Sequence, residues 1–218
     1  MELPVRNFEG QVVGSVELSD SVWAAPMNAA VLHQAVVAQL ANRRQGTQDT
    51  ITRSESGYST TKLRVQKHTG RARLGSRTSH LLGGSVSHGP HPRSYRQRLP
   101  VKMRRQALRV ALSAKVREER LAVLDTLEFE EPRTKRVKEL LSNLGFEGAT
   151  LVVTETRNDG LLKSVRNVRE VEAVMAEHLN VLETTRARNI VVTRDAARRI
   201  DERAGAPVRR SPVGAEAK

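Results

Sequence analysis

The residues of this chain best suited to chemistry lie in one run: Lys62-Leu-Arg64-Val-Gln66-Lys67-His-Thr69-Gly70-Arg71-Ala-Arg73-Leu-Gly75-Ser-Arg77. It holds six cations and no acid. An arginine guanidinium is a planar fork that pairs two phosphate oxygens at once and can also stack on a base. The interleaved glycines let backbone come close to a ligand and leave amides free to bind phosphate. The chemistry this composition supports is recognition of a polyanion, not bond making. The competing reading is a solvated linker, but linkers are usually less basic and less punctuated by glycine.

The run sits inside a longer basic segment. Between Arg43 and Arg109 there are 16 Lys and Arg against two acids, Asp49 and Glu55. That segment carries +14 of a net charge of +13, and the remaining 21 bases are matched by 22 acids. A near-neutral body thus carries one strongly basic insertion. Arg43, Arg44, Arg53, Arg93, Arg96, Arg98, Lys102 and Arg105 join the six cations of the run as candidate phosphate contacts. Each neutralised phosphate releases condensed counterion, so affinity for such a partner should fall steeply with salt. The segment shows no helical pattern to lay in a DNA major groove, and no zinc or zipper signature. Irregular arginine-rich chain that orders on binding suits folded RNA better.

Other chemistries are poorly supported. Gly70 to Ser76 imitates part of a Walker A loop, but Ser76 stands where the lysine must be, and no apolar run precedes Gly70. No G-x-G-x-x-G follows an expected strand. There is no cysteine, so disulfides and thiolate-ligated metals are excluded. His88 and His91 have H-x-x-H spacing in a Gly/Pro-rich stretch without a neighbouring carboxylate in sequence, so neither metal nor cofactor is expected. Asp125 and Glu155 follow expected strand ends, where ligands of parallel sheets bind, but no nucleophile–base pairing accompanies them. No apolar run is long enough to cross a membrane, and Met1–Gly10 has no apolar signal core. The expected location is cytoplasmic.

The elements that must position the cations are legible on either side. Val5–Phe8 and Gln11–Leu18 flank the turn signal Glu9-Gly10 and predict a hairpin. Asn28 predicts the N-cap of a helix with Leu32, Val36 and Leu40 on one stripe, closed by Arg43, Arg44 and Gly46. Periodicity then stops from Gly46 to Leu99, where seven of the 14 glycines lie. A stretch that long without a core is not an ordinary loop. Pro100 predicts a second helix with Met103, Ala107, Leu108, Ala111, Leu112 and Val116 on its stripe. Beyond it, the runs Leu121–Leu124, Thr150–Thr154, Val171–Met175 and Asn189–Thr193 alternate with helical patterns, one of them capped by Gly145. The expected fold class is α/β: a small, mostly parallel sheet flanked by helices, with a long extended basic loop inserted after the first helix. The expected organisation is a globular domain of residues 1–45 and 100–203, a loop of 46–99, and a disordered tail of 204–218.

Several motifs in order resemble one family. The stretch from Leu32 to Asn42-Arg-Arg-Gln-Gly46 is similar to the first helix and loop entry of the bacterial large-subunit ribosomal protein L-four family. Arg53, Glu55, Gln66-Lys67 and Thr69-Gly70-Arg71-Ala-Arg73 resemble its loop motif, and Gly89-Pro90 with Pro92-Arg93-Ser-Tyr95 its return limb. Ser164-Val-Arg166-Asn167 and Leu179-Asn180-Val181 resemble its body segments. The similarity runs from about Leu3 to Glu202. It departs at Leu63-Arg64-Val65, where the family has Pro-Trp-Arg, at His68, where it has glycine, and at Leu81, where it has tryptophan.

The resemblance implies an α/β body and a loop that enters 23S-type rRNA and reaches the nascent-peptide exit tunnel. By motif, Gln66, Lys67, Thr69, Gly70 and Arg71 would line the tunnel. It further implies neighbouring large-subunit proteins and the nascent peptide as partners, a role early in subunit assembly, and, for some members, repression of their own operon through leader mRNA. Two rivals keep the same electrostatics: a non-ribosomal RNA-binding protein or RNA chaperone, and an rRNA-modifying enzyme. The last would need a phosphate-binding loop after a strand.

Overall fold

The computed structural model describes residues 1–57, 61–75, 80, 83–127, 129 and 131–205. In chain order the elements are β1 (Glu2–Arg6), β2 (Val12–Glu17), α1 (Asp20–Trp23), α2 (Ala29–Arg43), α3 (Val101–Arg117), β3 (Leu121–Leu124), α4 (Thr134–Leu144), β4 (Thr150–Thr154), α5 (Asp159–Arg166), β5 (Val171–Met175), α6 (Val181–Arg186), β6 (Asn189–Thr193) and α7 (Arg194–Gly205). Contacts divide the chain into two units, Met1–Gln39 with the chain from Arg98 onward, and Leu40–Gln97.

The first unit is built on one six-stranded sheet in the order β2-β1-β3-β6-β4-β5. The β1–β2 pair is antiparallel, with Leu3 opposite Val16. All other pairs are parallel, as where Val123 meets Val192 and Val152 meets Val191. The four expected strand runs form β3 to β6. β3, β4 and β6 are apolar at their centres because both faces of the sheet are covered there, whereas β5, at the edge, carries the exposed Glu172. Val123, Val153, Ile190 and Val192 face a core closed by Trp23, Leu112 and Ile200. Their neighbours Ala122, Leu124, Val152 and Val191 face a second core with Val137, Leu140 and Leu161. Side chains alternate along a strand, so one run supplies both cores. The fold is thus α/β with a mostly parallel sheet between helical layers.

Local chemistry explains the element ends. Asn28 Oδ1 accepts from Val31 N at 3.2 Å and starts α2. Gly145 takes the left-handed conformation (φ 69°) that ends α4, and Phe146 N returns to Leu141 O. Asn158 and Asn180 cap α5 and α6 through their side-chain oxygens.

The expectations need four corrections. The first strand lies earlier than expected, Glu2–Arg6, while the second falls inside the expected run; the turn between them is organised by Asn7, whose Oδ1 accepts from both Glu9 N and Gln11 N. Phe8 is therefore outside the strand. Leu40 is exposed, and the buried positions of α2 are Ala35 and Ala38. Pro100 is the N-cap of α3 and not its first helical residue. Ala204, expected in the tail, is buried in α7, which runs through Gly205. The tail beyond Gly205 lies outside the described residues.

Candidate nucleic-acid interface

The second unit contains no strand among its described residues, and no α-helix beyond the end of α2. Among the described residues, no buried apolar residue lies between Ala38 and Ala107. What holds the unit is a ladder of polar contacts between an outgoing limb (residues 42–51) and a return limb (residues 86–97). Asn42 Nδ2 donates to Gln97 O at 3.2 Å, and Gln97 N donates to Asn42 Oδ1 at 2.7 Å. Arg93 N donates to Gly46 O, Thr50 Oγ1 to Pro90 O, and Val86 N to Ile51 O.

Two glycines are demanded by how closely the limbs approach. Gly46 has φ 74°, and a Cβ there would meet Arg93 O at 2.1 Å. A Cβ at Gly89 would meet Thr50 Oγ1 at 2.1 Å and Thr50 Cβ at 2.9 Å. Gly70 and Gly75, in the most basic run, have open space instead. There the absent side chain leaves backbone accessible, as the sequence reading required.

The cations are displayed outward. Arg43, Arg44, Arg53, Arg93 and Arg96 are exposed, and so are Lys62, Arg64, Lys67, Arg71 and Arg73. In the first unit, Arg98 and Lys102 are exposed and Arg105 is half-buried near the start of α3. Arg77 lies outside the described residues. Between residues 61 and 75, Leu63 N closes back on Gly75 O at 3.0 Å and Lys62 Nζ donates to Gln66 Oε1. His68 (φ 65°) and Gly70 (φ 62°) turn the chain between them. The five motif positions from Gln66 to Arg71 are thus on one exposed turn.

The two acids of this unit are engaged by groups other than these cations. Glu55 accepts from Thr52 N at 2.8 Å and Thr52 Oγ1 at 2.7 Å, and these bonds hold its carboxyl below the usual range. Asp49 accepts from Thr50 N and pairs with His91 Nδ1 at 3.1 Å. That pairing corrects the expectation that His91 has no carboxylate near it: the limbs bring Asp49 across. Among the described residues, no group of three His, Asp or Glu could hold a metal.

Tyr95 entered the sequence reading only as part of the return-limb motif, with no role of its own. Arg44 and Arg93 both lie over its ring, and Gln48 Nε2 donates to its hydroxyl. The available signal was an aromatic residue among arginines in a chain with 3% aromatics. Arg109, the last base of the segment, is used differently: its Nε donates to Ala204 O at 3.0 Å.

A cleft of about 440 Å³ opens at the carboxyl ends of β3, β4 and β6, lined by Asp125, Thr154, Glu155, Asp159, Thr193 and Asp195. Its groups are committed to structure. Asp125 pairs with Arg194 at 3.7 Å, Thr154 Oγ1 donates to Thr156 O, and Thr193 Oγ1 accepts from Ala196 N.

Comparison with known proteins agrees with this arrangement. Residues 16–203 match the Ribosomal protein L4/L1 family. Large ribosomal subunit protein uL4 of Desulforudis audaxviator is 48% identical over 199 residues, which is 91% of this chain and 96% of that protein. The uL4 proteins of Moorella thermoacetica and Carboxydothermus hydrogenoformans are 46% and 44% identical, covering 90% and 92% of this chain and 95% and 98% of their own. A family match over residues 16–203 and relatives matched along nearly their full length lead to one assignment: this chain belongs to the Ribosomal protein L4/L1 family, a structural, non-enzymatic family.

Proposed function

We propose that this chain is a structural constituent of the large ribosomal subunit that binds 23S-type rRNA through its second unit. The observation that carries the reading is the display of cations from Arg43 to Arg98 on a segment with no buried apolar residue among its described residues. Such a segment gains little by folding on itself and much by pairing with phosphate. Arg53, Lys62, Arg64, Arg73 and Arg77 contact phosphates along the segment, and Arg96, Arg98, Lys102 and Arg105 do so where it rejoins α3. Arg43 and Arg44 act where it leaves α2. Gln66, Lys67, Thr69, Gly70 and Arg71 form the turn that lines the nascent-peptide exit tunnel. Leu63, Arg64 and Val65 give that turn a different surface from the family's tryptophan-bearing one.

In this reading the protein joins the subunit early, and the body meets neighbouring large-subunit proteins. The nascent peptide passes the turn. The same cations serve for its own leader mRNA if that RNA offers a similar fold. Sucrose-gradient sedimentation in moderate salt tests the proposal. Stoichiometric migration with large subunits supports it. Migration with mixed RNAs, without stoichiometry, would identify an RNA chaperone instead.

A further inference from the structure

Tyr95 gathers two cations from the two limbs of the second unit. The guanidinium carbon of Arg44 lies 3.7 Å from the ring centroid and that of Arg93 lies 4.4 Å from it. The two guanidinium carbons therefore lie no more than about 8 Å apart, comparable to the screening length of physiological salt. The two acids of the unit are engaged elsewhere, Asp49 by His91 and Glu55 by Thr52.

The arrangement is built from below. Gly46 places its α-carbon against the ring, so that a Cβ would stand 3.1 Å from Tyr95 Cδ2. Arg93 N is tied to Gly46 O at 3.0 Å. The phenol oxygen accepts from Gln48 Nε2. The ring is half-buried, whereas both arginines are exposed.

Stacking uses the flat face of a guanidinium and leaves its N–H edge available. Two such edges, held close and mutually repelling, are relieved by an anion that both can reach. Arginine also loses much rotamer freedom when immobilised, and here part of that loss precedes binding.

We propose that Arg44 and Arg93 form a pre-organised two-guanidinium site for a backbone phosphate of RNA, with Tyr95 as its positioning residue. This rests on the rRNA-binding reading above. Tyr95 acts through the arginines and does not itself touch the RNA.

The test is a mutant cycle on the full-length protein, with an in vitro transcript of 23S-type rRNA as probe and filter binding at fixed moderate salt. Tyr95→Leu should weaken binding about five- to thirtyfold, the size of two exposed cation–π contacts. Tyr95→Phe, which keeps the ring, should retain most of the affinity. In an Arg44→Gln/Arg93→Gln background, Tyr95→Leu should cost nothing further. Arg93→Gln should lower the slope of log affinity against log salt by about one, and Tyr95→Leu should leave it unchanged. An undiminished Tyr95→Leu loss in the double-glutamine background would overturn the proposal, because the ring would then be acting on its own. No loss in the wild-type background would overturn it too. If the wild-type protein does not bind the transcript, the rRNA reading itself fails. If it binds with a normal salt slope and only the cycle is additive, the clamp alone fails.

Discussion

Asn42 and Gln97 stand 55 residues apart in sequence and exchange two hydrogen bonds, Asn42 Nδ2 to Gln97 O and Gln97 N to Asn42 Oδ1. The side-chain amide imitates a strand-pairing backbone and joins the two limbs at one end of the ladder. Asn42→Ala removes both bonds at once. Each exposed bond of this kind contributes about 0.5–1.5 kcal/mol. Amide hydrogen exchange at Gln97 should accelerate about tenfold, with the thermal midpoint of the body unchanged. Unchanged exchange at Gln97 would show that the pairing does not hold the limbs.

The glycines of the second unit should separate into two classes. Gly89→Ala forces a Cβ onto the stiff Thr50 side chain. It should split the limbs and accelerate proteolysis around residues 86–93. Gly75→Ala enters open space and should change neither proteolysis nor limb exchange. Equal behaviour of the two variants would refute the close approach of the limbs.

Stability of the body should not depend on the basic unit. The buried apolar set skips from Ala38 to Ala107 among the described residues. Replacing residues 53–93 by a short Gly-Ser linker should leave the urea midpoint of the body essentially unchanged. Leu112→Ala, by contrast, empties a fully buried site and should cost about 2–5 kcal/mol. A body that unfolds when the segment is removed would contradict the division into a cored and an uncored unit.

Tyr95 should titrate early. Its hydrogen bond from Arg93, and the nearby charges of Arg93 and Arg44, lower its hydroxyl from the usual tyrosine value of 10.0. The folded value is the depressed one, so the linked stabilisation is absent at neutral pH. It appears as pH rises through the lowered value, and it is complete above the unfolded value. The wild-type minus Tyr95→Phe difference in phenolate absorbance should therefore have its midpoint below about 10. Arg93→Ala should move that midpoint upward, and an unmoved midpoint would separate Tyr95 from Arg93.

Much of this was readable in the chain because the physics was local. β3, β4 and β6 were visible as apolar runs, since strands buried on both faces show little polar alternation, while β5 interrupts its run with the exposed Glu172. Gly145 announced the end of α4 because few other residues tolerate its backbone conformation. The basic unit was visible as charge without periodicity. What could not be read were relations between distant residues. The pairing of Asp49 with His91, the seat of Tyr95 on Gly46, and the use of Arg109 to hold Ala204 all depend on which segments meet. Asn7 was missed for a subtler reason. Its side chain joins the Glu9-Gly10 pair in holding the hairpin turn, and the first strand ends at Arg6 before it.

The central claim is that the basic unit binds rRNA by pairing its cations with phosphates. The most direct measurement is the affinity of the full-length protein for a 23S-type rRNA transcript across a salt series, beside a variant with Arg53, Lys62, Arg64, Lys67, Arg71 and Arg73 changed to Gln. Log affinity should fall linearly with log salt, by about 0.7–0.9 per neutralised phosphate, and the variant should show a slope shallower by about four to five. A flat salt response in the wild type, or an unchanged slope in the variant, would contradict the account.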